Sequence, residues 1–118
     1  MARTSVHNHV LIVEFSAWER LFTQRRRIVV PLTAARQVQA EPDALAAIRG
    51  MRIAGAEVFG VLKAGYWGLG TNARQLVCVR RGHPAVRITL APGFAARFDE
   101  ILVSAPTAVS HTLVAVRT

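Results

Sequence analysis

The sequence predicts an α+β protein that is mainly β: an antiparallel sheet, strongly curled or closed into a small barrel, with a short inserted helix and a C-terminal helix. Three observations lead there. The apolar runs are short and rich in β-branched residues, as at Val10-Leu11-Ile12-Val13 and Ile28-Val29-Val30. Glycine- and proline-bearing turn signals separate them at short intervals, as at Arg81-Gly82-His83-Pro84 and Ala91-Pro92-Gly93. Helix signals are confined to the stretches after Ser16, Pro42 and Pro106.

Composition sets the frame. A chain of 118 residues fits one domain, spanning 1–118, and can bury roughly two thirds of its unfolded surface without disulfide or metal staples. Apolar residues at 52% against 19% charged exclude a disordered chain. Fifteen basic residues against seven acidic give a formal charge of +8, and Lys63 is the lone lysine among fourteen arginines. Such a surface attracts nucleic acid, acidic proteins and anionic lipid alike, and charge alone does not choose among them. One cysteine, Cys78, excludes an intramolecular disulfide and cysteine-based zinc motifs. The opening Met-Ala-Arg-Thr-Ser is not a secretory signal, and no run is long enough to cross a membrane as a helix, so a cytoplasmic protein is expected.

Taken in order, residues 1–8 read as a flexible N-terminal segment and 10–15 as a buried strand. Ser16 caps a short helical turn over 17–22, with Glu19 three positions on completing a capping box. Residues 28–30 form a second strand, and Pro31, which has no N–H to give to a ladder, marks its end or an edge position. Residues 32–39 continue extended, with a break around Thr33-Ala34-Ala35. Pro42 at an early helical position, Glu41 and Asp43 at the positive end and Gly50 as a stop predict the inserted helix over 42–49.

Beyond it, 58–64 reads as one strand, 65–72 as a glycine-rich turn, 74–80 as the returning strand, 85–90 as another and 98–103 as the last. Ser104-Ala105-Pro106 reads as a helix entrance, with Val109, Leu113 and Val116 following at helical spacing. Antiparallel neighbours joined by short turns suit a curled sheet or barrel with a helix closing one end.

Several stretches resemble a pleckstrin-homology-like (PH-like) domain of the bacterial type. They are Val30-Pro31-Leu32-Thr33-Ala34-Ala35-Arg36-Gln37-Val38, the glycine-bearing connection 50–60, and Phe98-Asp99-Glu100-Ile101-Leu102-Val103-Ser104 ahead of an apolar terminal helix. Residues 43–52, with Gly65-Tyr66-Trp67, are similar to a group of uncharacterised actinobacterial proteins. The likeness covers about 18–116, and the inserted helix departs from the simplest seven-strand pattern. It implies a binding scaffold with no catalytic residues. In eukaryotic relatives of that fold, basic residues in the first hairpin loop grip phosphorylated inositol headgroups; the positions that match here are Arg20, Arg25, Arg26 and Arg27.

That arginine set is the sharpest candidate site, because the planar guanidinium fork suits oxyanions. The competing reading is a solvated basic turn, the usual fate of a like-charge run. Tyr66 and Trp67 are the candidate aromatic contacts for a stacked ligand; packing into the core is the alternative. His7 and His9 would face the same way on a strand, but no carboxylate or cysteine completes a metal set, so no metal and no cofactor are expected. Cys78, between Val77 and Val79, reads as a core residue rather than a nucleophile. The acid pairs Asp99-Glu100 and Glu41/Asp43 lack the opposed geometry of acid–base chemistry. The sequence thus points to a non-catalytic interaction module, not an enzyme, that binds a protein or peptide and self-associates, as a homodimer. The alternative is an anion-binding domain that recognises acidic lipid headgroups or nucleic acid through the basic loop.

Overall fold

The computed structural model describes residues 2–58, 62–106 and 113–114. They form a mainly β protein of two sheets and one α-helix. Strands β1 (Arg3–His7), β2 (Val10–Glu14) and β3 (Arg27–Pro31) make a three-stranded antiparallel sheet, with α1 (Ala17–Thr23) in the β2–β3 connection. After a 3₁₀ turn, Leu32–Ala34, come β4 (Ala35–Glu41), β5 (Met51–Val58), β6 (Leu62–Leu69), β7 (Gln75–Arg80), β8 (Ala85–Leu90) and β9 (Glu100–Ser104). These build a six-stranded sheet in the order β4-β8-β9-β7-β6-β5.

The pairing differs from expectation in two respects. The last strand, β9, inserts between β7 and β8 and runs parallel to β7, Gln75 opposite Glu100 and Cys78 opposite Val103. The sheet is therefore mixed rather than wholly antiparallel. Among the described residues both sheets are open, with β4 and β5 at the ends of the larger and β1 and β3 at the ends of the smaller.

Residues 3–7 are no loose terminus. Alternation along Arg3–His7 pairs them with Val10–Glu14 through a two-residue turn, Asn8-His9, whose φ angles of 50° and 63° give the primed geometry that matches strand twist. The capping box at α1 forms as its residues require: the Ser16 N–H donates to Glu19 Oε1 at 2.8 Å and its hydroxyl to the same oxygen at 2.6 Å.

The middle of the chain departs from expectation twice. Val58 lies opposite Leu62, so the strand expected over 58–64 is the junction of β5 and β6, and 65–69 belongs to β6 rather than to a turn. The inserted helix is absent. Residues 42–49 form successive turns, Ala47 N–H to Ala44 O at 3.2 Å and Ile48 N–H to Leu45 O at 3.4 Å, one residue tighter than an α-helix. Tertiary anchors explain it, because the Gln75 side chain takes the Ala47 carbonyl and the Arg49 N–H. Of the expected terminal helix, Leu113 and Val114 are helical and Leu113 is buried; its remaining positions beyond 106 lie outside the described residues. Ser104 ends β9 instead of opening that helix.

The larger sheet is covered on both faces. Its inner face shares one core with the smaller sheet, where Leu11, Val13, Ile28 and Val30 meet Leu76, Val86, Ile88 and Ile101. On its outer face Val77, Val79, Leu102 and Trp67 are covered by Ala44, Leu45 and Ile48 of the 42–49 segment. Strands β7 and β9 are thereby buried on both sides, which is why Leu76 to Val79 and Ile101 to Val103 read as continuous hydrophobic runs.

Candidate functional site

The basic connection between α1 and β3 sits against β6, next to the edge strand β5 of the larger sheet, and its arginines divide into two groups. Arg25 turns inward. Its Nε donates to the Tyr66 hydroxyl at 3.4 Å, and its guanidinium lies 5.1 Å from the Phe98 ring centroid. The Tyr66 hydroxyl donates in turn to the Thr23 carbonyl at 2.8 Å, and Arg97 covers the Tyr66 ring at 4.6 Å. Arg25, Tyr66, Phe98 and Arg97 therefore form a clasp that ties the end of α1 to the sheet, each cation on an aromatic face.

Arg20, Arg26 and Arg27 point elsewhere. With Glu14 they line a groove of about 320 Å³. Cross-strand register puts Arg3 and Arg27 on either side of Glu14, so a carboxylate sits among these guanidinium groups. Arg20 also donates its Nε–H to the Phe15 carbonyl at 3.0 Å, which fixes the stem of that side chain. Three of the four sequence candidates thus share one shallow basic groove, and the fourth is committed to packing.

The two candidate aromatics separate. They are neighbours on one strand, so they point to opposite faces of the sheet. Tyr66 joins the inner core and Trp67 the outer cluster, each 3% exposed, with Lys63 5.8 Å from the Trp67 ring. Neither ring presents an open face to a stacked base or sugar.

His7 and His9 do not share a face, since His9 is in the turn while His7 ends β1. Among the described residues no cluster of three or more potential metal ligands occurs. Cys78 is buried, and desolvation together with the buried Glu19 carboxylate beside it pushes the thiol well above its ordinary value. Thiolate chemistry needs the opposite environment. The acids adjacent in sequence are held in structural pairs: Asp99 accepts from the Arg74 N–H at 2.9 Å, and Glu100 lies 3.3 Å from Arg49 Nε.

The sequence reading admits a partner strand added at an exposed sheet edge but does not say which strand forms it; one such edge belongs to the larger sheet. Strand β5 is its terminal strand, and Met51, Arg52, Ile53, Ala54 and Gly55 are all exposed, Met51 at 64% and Ile53 at 48%. Leu69, opposite Met51 on β6, is exposed as well. The pattern that could have found it is Met51 to Val58 itself, apolar and weakly charged between two glycine-bearing connections, a composition that marks an unprotected edge.

Comparison with protein-family models, with curated proteins and with solved structures finds no match for this chain. Among the described residues no helix is long and apolar enough to cross a membrane.

Proposed function

We propose that this protein is a non-catalytic interaction module that binds a protein or peptide strand along the free edge of β5 and also self-associates. The observation that carries the reading is that edge: eight residues at the end of a six-stranded sheet, with Met51 and Ile53 exposed beside it. A terminal strand offers unpaired N–H and C=O groups, so an incoming strand gains main-chain hydrogen bonds while neighbouring side chains supply selectivity. The resemblance to PH-like domains, with their curled or barrel-shaped sheets, agrees with a role in binding rather than catalysis. The buried, proton-retaining Cys78 and the paired acids agree with it too.

The test is selection of displayed peptides on the wild-type protein, followed by hydrogen exchange of the complexes. Peptides that slow exchange at 51–58 and lose binding on Ile53→Lys support the reading, because Ile53 is exposed and its replacement leaves the core intact. Selected peptides that leave 51–58 unprotected overturn it.

A second reading keeps one specific observation: Arg20, Arg26 and Arg27 converge on a single groove. It makes the protein an anion-binding domain for acidic lipid headgroups or nucleic acid. Binding of that kind falls steeply between low and physiological salt, whereas main-chain pairing of an uncharged peptide strand at β5 is nearly indifferent to it.

A further inference from the structure

We infer that one strand β5 is built to receive is β5 of a second copy, in antiparallel register about a two-fold axis through Gly55. This rests on the reading of β5 as a receptive edge and adds the partner and the register.

The β5–β6 ladder holds two compensating irregularities. Met51 faces Leu69, Arg52 faces Trp67 and Ala54 faces Tyr66, so Gly68 is the extra residue on β6 and Ile53 the extra residue on β5. Without a bulge, residues 52 and 57 would lie on opposite faces, since side chains alternate. The bulge at Ile53 brings them onto the same one. Arg52 pairs with Trp67 and Glu57 with Lys63, both on the outer face, and the Arg52 charge helps to hold the Glu57 carboxyl below its ordinary value, second to the Lys63 ion pair.

One face of the edge therefore carries a cation near one end, an anion near the other and Gly55 between them. Two such strands related by a two-fold axis at Gly55 place Ala54 opposite the other copy's Ala56. Each bulged pair, Arg52-Ile53, then falls opposite Glu57 of the other copy, as two residues of a bulged strand oppose one of its partner. The register joins opposite charges twice, on one face, and juxtaposes small residues at the centre. A C₂ interface requires that kind of self-complementarity. A slip by one residue would set each Glu57 against residues of the opposite face and forfeit both pairs.

The experiment is sedimentation equilibrium at low salt on the wild type, Arg52→Glu, Glu57→Arg and an equimolar mixture of the two variants. Both side chains are exposed, so the core is untouched, and thermal midpoints of the variants account for the Lys63 ion pair that Glu57→Arg gives up. Each variant alone places like charges opposite each other at both sites and should weaken dimerisation by about tenfold. The mixture restores both opposite-charge pairs in a heterodimer and should return the association to near the wild-type value. A wild type that stays monomeric, variants that dimerise as well as wild type, or a mixture no better than its components would each overturn the inference. The wider reading is judged separately: peptide-induced protection at 51–58 with a monomeric wild type leaves the receptive edge standing and removes only the second copy, whereas loss of both removes both.

Discussion

The side-chain amide of Gln75 donates to Oε1 of Glu100 at 2.9 Å across the parallel β7–β9 pair, in the buried outer layer of the larger sheet. The same amide donates to the Ala47 carbonyl at 3.1 Å, and its oxygen accepts the Arg49 N–H at 2.7 Å. Glu100 is held in turn by Arg49, and Arg87 reaches both Glu100 and Glu41. One neutral side chain thus fastens the 42–49 segment to the sheet and anchors a charged network at the point where β9 inserts.

Removing that side chain strands several partners at once. Gln75→Ala leaves a buried carboxylate oxygen, a carbonyl and an N–H short of a bond, and each buried orphan costs about 1–3 kcal/mol. A loss of about 2–4 kcal/mol in urea unfolding is expected, with faster amide exchange over 44–49 and little change in β2 or β3. Unchanged exchange over 44–49 would show that apolar contacts from Ala44, Leu45 and Ile48 hold the segment unaided.

The arginines of the α1–β3 connection should separate in stability measurements. Tyr66→Phe removes the donor to the Thr23 carbonyl and the acceptor for Arg25, a loss of about 1–2 kcal/mol. Arg25→Ala loses its cation–π contact with Phe98 and should cost about 1 kcal/mol. Arg26→Ala and Arg27→Ala, exposed in the groove, should stay within about 0.5 kcal/mol of wild type. Denaturant midpoints of the four variants check this. Charge reversal at Arg20, Arg26 and Arg27 is consequently the appropriate probe of anion binding, because reversing Arg25 would confound binding with folding.

These particular residues show where the sequence was legible. The Ser16–Glu19 box and the break at Thr33-Ala34-Ala35 depend on neighbours within a few positions, and both were readable. So were the β-branched runs at 10–13 and 28–30, although they bury only alternate residues, with Val29 exposed. Strand β1 escaped because its alternation is polar and weak; the signal was Asn8, a residue tolerant of positive φ between two extended stretches. The helix over 42–49 failed because Gln75, far along the chain, competes for its backbone groups, and local propensity carries no information about a distant amide. The parallel β7–β9 pair is equally non-local. For the site, the sequence identified the arginines but could not tell Arg25, committed to Tyr66 and Phe98, from Arg26 and Arg27 beside it.

The β5–β6 pair depends on two facing glycines. Gly55 and Gly65 have φ of 122° and 141°, and a Cβ on either would fall 2.3 Å from a backbone carbonyl oxygen of the neighbouring strand. The obstruction is backbone on both sides, so relaxation requires the strands to part. Gly65→Ala should cost about 3 kcal/mol or more. Gly70→Ala meets no atom within 4 Å at φ 88° and should cost about 1–2 kcal/mol of backbone strain alone. Thermal unfolding of the two variants side by side distinguishes crowding from strain; equal losses would mean that the strands separate readily.

Cys78 makes stability depend on alkaline pH in a defined direction. Burial, and then the Glu19 carboxylate, raise the thiol's pKa in the folded protein, so the folded state keeps its proton where the unfolded chain has released it. The stabilisation is complete below the unfolded thiol's value of about 8.5 and is lost progressively as pH rises above it. Cys78→Ala removes this linkage and adds a cavity cost that does not vary with pH. The stability gap between wild type and variant should therefore be constant near neutrality and narrow by about 1.4 kcal/mol per pH unit above the unfolded thiol value. Denaturant unfolding of both proteins from pH 7 to pH 10 measures the gap directly, with all other titrations cancelling in the difference. A gap that stays constant across that range would mean the thiol ionises as easily folded as unfolded, and would reopen Cys78 as a reactive group. Native-state alkylation is the complementary reading: the buried thiol should react only through opening of the core, so its labelling rate should track unfolding stability across the variants above.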